Sequence, residues 1–75
     1  MNSYANLGGN SNVTAYELGS GYIRVQFADG SVYLYTDASA GAGNIATMQS
    51  LARAGRGLNG FINTNVKYNY ESKER

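Results

Sequence analysis

Residues 22–36 read Tyr-Ile-Arg-Val-Gln-Phe-Ala-Asp-Gly-Ser-Val-Tyr-Leu-Tyr-Thr. Alternation of apolar and polar side chains on both sides of Asp29-Gly30 is the pattern of a β-hairpin. Asp-Gly tolerates the positive φ angles of a two-residue type I′ turn. Such a loop places Phe27 opposite Val32, Val25 opposite Leu34 and Ile23 opposite Thr36, all on one aliphatic face. The other face then pairs Gln26 with Tyr33 and Arg24 with Tyr35, with Tyr22 beside them. A one-residue slip would move every side chain to the opposite face, so the apolar pattern supports this register.

Working outward, Val13–Leu18 has strand character, and Ser20-Gly21 is suited to a tight turn into Tyr22, although Gly19 and Gly21 allow other loops. That turn sets Leu18 against Ile23, Tyr16 against Val25, Thr14 against Phe27 and Glu17 against Arg24. A cross-strand row Glu17, Arg24, Tyr35 follows. Asp37 or Ser39 is suited to cap a helix. Ile45, Met48, Leu51 and Ala52 recur at helical spacing, so the helix is expected from about Asn44 to Ala54. Gly55 is suited to end it, and Arg53 in the last turn complements the helix dipole. Leu58–Asn65 reads as a short second helix or irregular turns, with Leu58, Phe61, Ile62 and Val66 inward. Val66–Tyr70 alternates as a short edge strand would.

The fold class is therefore α+β: a three-stranded antiparallel meander followed by a helix packed on one face, with a short C-terminal helical or strand segment. The expected core is Tyr16, Leu18, Ile23, Val25, Phe27, Val32, Leu34, Ile45, Met48, Leu51, Phe61 and Ile62. Residues 1–12, rich in Asn, Ser and Gly, are expected to form a flexible N-terminal arm, with Tyr4 and Leu7 able to tuck onto the domain. Residues 71–75 are a charged tail.

The chain has 75 residues, enough for one small domain. A domain of that size buries roughly 60–65% of its unfolded surface, and oligomerisation is one way to add core. Cys and His are absent. The usual thiolate and imidazole ligands of zinc and iron–sulfur sites are therefore missing, as are disulfides and the base of a Ser-His or Cys-His nucleophile. No metal and no cofactor is expected. The first ten residues carry no basic start and no apolar run, and no stretch has transmembrane length; a soluble, cytoplasmic, non-membrane protein is the expectation.

Net charge is +1. Residues 1–50 carry −2 and residues 51–75 carry +3, so the basic side is the C-terminal third. The overall charge is low for a protein that grips long nucleic acid. Of the five carboxylates, Asp29 belongs to a turn and Asp37 to a helix start, which leaves little for paired acid–base chemistry, and no enzyme is expected. Gly41-Ala42-Gly43-Asn44 lacks phosphate-loop spacing and reads as a loop. Arg53-Ala54-Gly55-Arg56-Gly57 reads as a helix end and linker.

The Tyr33-Leu34-Tyr35 step, together with Phe61, Ile62, Asn63, Val66, Lys67 and Tyr70, resembles the KTSC domain. That family has a central Tyr-x-Tyr. It takes its name from its place at the C-terminus of some lysyl-tRNA synthetases, and also occurs as small stand-alone bacterial and phage proteins. The resemblance spans about Ser11–Tyr70 and implies a single domain over residues 13–70. The Ala/Gly-rich run Ala38–Gly43 departs from the family pattern. The association with tRNA synthetases implies RNA binding.

Two readings of Tyr33 and Tyr35 stand open. Tyrosine has high β-propensity, and the pair can pack beneath the C-terminal segment against Val66, Tyr68 or Tyr70. Alternatively, the rings form a stacking platform for bases, with Arg24, Tyr22, Lys67 and Tyr70 beside them. The platform makes the chain a binding module for single-stranded RNA or a nucleotide. A protein-binding module, such as a stand-alone phage-type inhibitor or adaptor, would use the same tyrosines as anchors. A homo-oligomer is a third possibility.

Overall fold

The computed structural model describes residues 1–9 and 11–75. Three strands, β2 (Val13–Gly19), β3 (Tyr22–Phe27) and β4 (Val32–Thr36), form the antiparallel meander. Two-residue strands extend it at each edge, β1 (Asn2–Ser3) beside β2 and β5 (Ser72–Lys73) beside β4, giving a five-stranded sheet in sequence order. Helices α1 (Asp37–Ala40), α2 (Ala42–Ala54) and α3 (Leu58–Phe61) follow the meander, and α3 runs on into a π-helical turn, Ile62–Val66. The apolar sides of α2 and α3 share one core cluster with the sheet. The fold class is a small α+β domain with an antiparallel sheet, a helix packed on it and a short C-terminal helical segment.

The first hairpin follows expectation. Leu18 pairs with Ile23, Tyr16 with Val25 and Glu17 with Arg24. Near its start β2 shifts register, and Val13 rather than Thr14 lies across from Phe27. This irregularity carries Val13 into the core and leaves Thr14 exposed.

The second hairpin differs from expectation by one residue. Ile23 pairs with Tyr35, Arg24 with Leu34, Val25 with Tyr33 and Gln26 with Val32. The loop is Ala28-Asp29-Gly30. Gly30 N–H donates to the Phe27 carbonyl (2.9 Å), and Phe27 N–H donates to the Ser31 carbonyl (2.9 Å). Gly30 has φ 88° and Asp29 does not have positive φ, so a three-residue loop with a glycine bulge replaces the type I′ turn. Asp29 Oδ1 accepts from Ser31 N–H (2.9 Å) and from Ser31 Oγ (2.6 Å), which holds the loop in that form.

The slip exchanges the faces of β4. Tyr33 and Tyr35 face the helices with Ile23 and Val25, while Leu34 turns to the other side beside Arg24. Val32 is buried on that outer side, where Glu74 N–H donates to its carbonyl (2.7 Å). The expected core is thus corrected at Leu34 and at Val32, which is buried but outside the cluster between sheet and helices. That cluster gains Tyr4, Val13, Tyr35, Ala40, Ala52, Leu58 and Val66.

Thr36 caps α1, in place of Asp37 or Ser39. Its Oγ1 accepts from Ser39 N–H (3.1 Å), and Ser39 Oγ accepts from Thr36 N–H (3.0 Å). Helix α2 starts at Ala42, two residues ahead of expectation, and Asn44 Nδ2 donates to the Ala40 carbonyl (2.8 Å) across the junction. Ile45, Met48 and Ala52 are buried, with Leu51 packed beside them. Full burial of side chains such as Ile23, Val25 and Met48 contributes roughly 1.5–3 kcal/mol each. Gly55 ends α2 at φ 76° and donates to the carbonyls of Leu51 and Ala52.

The stretch expected as an arm contributes β1 and the buried Tyr4, whose hydroxyl accepts from Leu58 N–H (3.3 Å). Leu7 N–H donates to the Gly55 carbonyl (2.7 Å). Asn10, in the same stretch, lies outside the described residues. The edge strand expected at Val66–Tyr70 is found instead at Ser72–Lys73, because Val66 completes the π-helical turn.

Candidate functional site

The β4 tyrosines form one wall of a pocket of about 270 Å³. Tyr33 and Tyr35 come from β4, and Phe27 from the end of β3. Asn59, Ile62 and Asn63 come from the α3 segment, Lys67, Tyr68 and Tyr70 from the chain after it, and Asn12 from the chain before β2. The aromatic rings meet edge to face. Tyr33 and Tyr70 have centroids 4.8 Å apart, Tyr35 and Tyr70 6.3 Å, and Phe27 and Tyr33 5.6 Å. These are favourable aromatic geometries and make the wall stiff.

Tyr35 keeps 1% of its surface exposed. Its hydroxyl has no hydrogen-bond partner among the described residues, yet no fully buried side-chain oxygen among those residues lacks one. The little surface Tyr35 retains therefore includes the hydroxyl, and Tyr35 lines the pocket. Burial pushes the phenol up to about 12, with the nearby Tyr33 and Tyr70 adding to the shift. Tyr35 is therefore a neutral hydroxyl at physiological pH, able to donate or accept.

Lys67 is the one charged side chain among the described residues that line the pocket. Its Nζ lies 5.5 Å from the Tyr68 ring centroid. Lys73 Nζ lies 5.8 Å from the Tyr33 ring centroid. Tyr68 is 77% exposed at the rim.

Arg24 belongs to a different place. Its Nη1 is 2.6 Å from Glu17 Oε2 and its Nε is 2.9 Å from Glu74 Oε1. Its guanidinium lies 5.1 Å from the Tyr22 ring centroid, and the Tyr22 hydroxyl donates to Glu17 Oε2 (3.1 Å). Glu17 is held below its ordinary carboxyl value, first by that Tyr22 hydroxyl and then by Arg24. The row expected as Glu17, Arg24, Tyr35 is Glu17, Arg24, Leu34. Of the six residues singled out in the sequence, Tyr33, Tyr35, Lys67 and Tyr70 meet in the pocket. Arg24 and Tyr22 occupy the opposite face of the sheet.

Asn12, Phe27, Asn59, Asn63 and Tyr68 were not singled out as ligand contacts. The Asn59/Asn63 spacing of four residues, which puts both on one helical face, was an available signal. Among the described residues no cluster of Asp and Glu is suited to hold a metal ion, and no helix is long and apolar enough to cross a membrane. The chain matches no family model, no curated protein and no solved structure.

Proposed function

We propose that the chain is a non-enzymatic binding module that takes a base-containing ligand, single-stranded RNA or a nucleotide, in the tyrosine pocket. The observation that carries this reading is the pocket lined by Tyr35, whose neutral hydroxyl has no partner among the described residues, beside the Tyr33 and Tyr70 rings. Aromatic walls accept the face of a base, and a hydroxyl in the lining meets its polar edge. The resemblance to the KTSC domain supports the same reading. Tyr33, Tyr35, Ile62, Asn63, Lys67 and Tyr70, most of the residues that carry it, line this pocket. Chemistry finds little support here, since Arg24 engages Glu17 and Glu74 and Ser31 engages Asp29.

A protein-binding module is the competing reading, favoured by the exposure of Tyr68 at the rim, where an aromatic anchor would sit. Titration of single-stranded oligonucleotides and mononucleotides at two salt concentrations, followed by NMR shifts of the tyrosine rings, separates the two. Shifts confined to Tyr33, Tyr35, Tyr68 and Tyr70 are expected. If no nucleotide or oligonucleotide perturbs these rings at low salt, the base-binding reading fails and the protein-binding one replaces it.

A further inference from the structure

The pocket constrains its ligand by size, charge and polar edge. About 270 Å³ lies at the low end for small-molecule sites, room for one base and its sugar but not a stacked run. Lys67 supplies the single positive charge in the lining, and no carboxylate lines the pocket among the described residues. Lys73, over Tyr33, is shared with the turn, because its charge contributes to holding Asp29 ionised. One anionic group can therefore be matched at the mouth, and a string of phosphates cannot. Tyr35 also lines the pocket, and its hydroxyl has no partner among the described residues. The side-chain amides of Asn59 and Asn63, also in the lining, make no hydrogen bond to described residues. Carboxamides and hydroxyls that can each donate and accept are the groups that read the edge of a nucleobase.

From this we infer that the pocket holds one nucleotide unit bearing a single phosphate, its base against Tyr35 and the asparagines and its phosphate at Lys67. The inference rests on the base-binding reading above and narrows it to a monophosphate. The unit is either a free nucleoside monophosphate or the phosphorylated end of a single strand, since the recognised chemistry is the same.

The full chain is titrated calorimetrically with adenosine and uridine, their 5′-monophosphates and 5′-triphosphates, and a short oligonucleotide with and without a 5′-phosphate. The monophosphate is expected to bind about tenfold more tightly than its nucleoside, as one charge-assisted contact allows, and the triphosphate no more tightly than the monophosphate. Lys67→Gln removes the difference between monophosphate and nucleoside. Tyr35→Phe, which keeps the ring, weakens nucleoside and monophosphate alike. A preference for the 5′-phosphorylated oligonucleotide over the free monophosphate assigns the strand end, and the reverse assigns the free nucleotide.

Equal affinity for nucleoside and monophosphate, or a triphosphate that binds much more tightly than either, overturns the single-phosphate inference while leaving the base-binding reading standing. An unchanged preference in Lys67→Gln does the same. Absence of binding by every nucleoside, nucleotide and oligonucleotide overturns both.

Discussion

Tyr35 is the cross-strand partner of Ile23, and neither side chain keeps more than 1% of its surface in water. A tyrosine so placed is a core residue whatever else it does. Tyr35→Ala should therefore cost about 3–5 kcal/mol of stability, as other large-to-small core truncations do. Tyr35→Phe removes only a hydroxyl that bonds to no described residue and should melt near the wild-type temperature. Thermal unfolding of the two variants checks this. Equal, small losses in both would mean that the ring is not packed as described.

The same hydroxyl predicts a pH dependence. The Tyr35 phenol has its pKa raised from 10.0 to about 12, chiefly by burial. Between those values the unfolded chain has released the proton and the folded chain has not. Stability is complete below pH 10 and falls as the pH rises towards 12. Absorbance at the phenolate wavelength should show a late step, towards pH 12, and Tyr35→Phe should abolish it. Loss of some other step in its place would reassign the buried phenol.

Two glycines make a graded pair. Gly30 has φ 88°, and a Cβ there would meet nothing within 4 Å, so Gly30→Ala carries backbone strain alone, about 1–2 kcal/mol. Gly55 has φ 76°, and its Cβ would stand 2.6 Å from Ala5 Cβ. Gly55→Ala adds that collision to the strain and should be the more destabilising, with loss of the protection that the Gly55 carbonyl gives Leu7 N–H. Chemical denaturation ranks the two. Hydrogen exchange at Leu7 tests the link between α2 and the N-terminal segment, and unchanged exchange would show that the link does not depend on Gly55.

Arg24 acts on the far side of the sheet. Arg24→Gln frees Glu74, whose backbone completes the pairing of the C-terminal segment with Val32. Faster exchange at Glu74 and Arg75 amides is expected, with nucleotide affinity unaltered. In a carboxyl titration Glu17 should rise towards its ordinary value, though only in part, because the Tyr22 hydroxyl is the larger cause of its depression and remains in place. The stabilisation from ionised Glu17 is present above the ordinary carboxylate pKa and is lost as the pH falls through the depressed value. If Arg24→Gln weakened the proposed nucleotide binding as Tyr35→Phe is expected to, Arg24 would have to reach the pocket, contrary to its pairing with Leu34.

Ser20-Gly21 fixed the first hairpin, because Tyr16, Leu18, Ile23 and Val25 have an apolar partner in only one alignment. Ile45, Met48 and Ala52 at helical spacing, with Gly55 after them, marked α2 and its end, because a helix with one apolar stripe can bury only that stripe. The absence of Cys and His bounded the chemistry without reference to any fold.

The faces of β4 were different. Its residues Val32, Tyr33, Leu34 and Tyr35 are large and largely apolar on both sides, so shifting by one residue preserves the alternation. The choice fell to the three-residue loop at Gly30 and to what covers each face. Chain that returns from far along the sequence, α2 and the segment Leu58–Tyr70, lies over Tyr33 and Tyr35 on one side, and on the other the Glu74 carboxylate, brought in by edge pairing with Val32, reaches Arg24. Lys67, Tyr70, Asn59 and Asn63 reach the tyrosines only through that return. Local pattern thus determined β2, β3, β4 and α2, and long-range burial decided the edge strands and which residues form the pocket, because the free energy of covering a face depends on chain that the strand's own sequence does not contain.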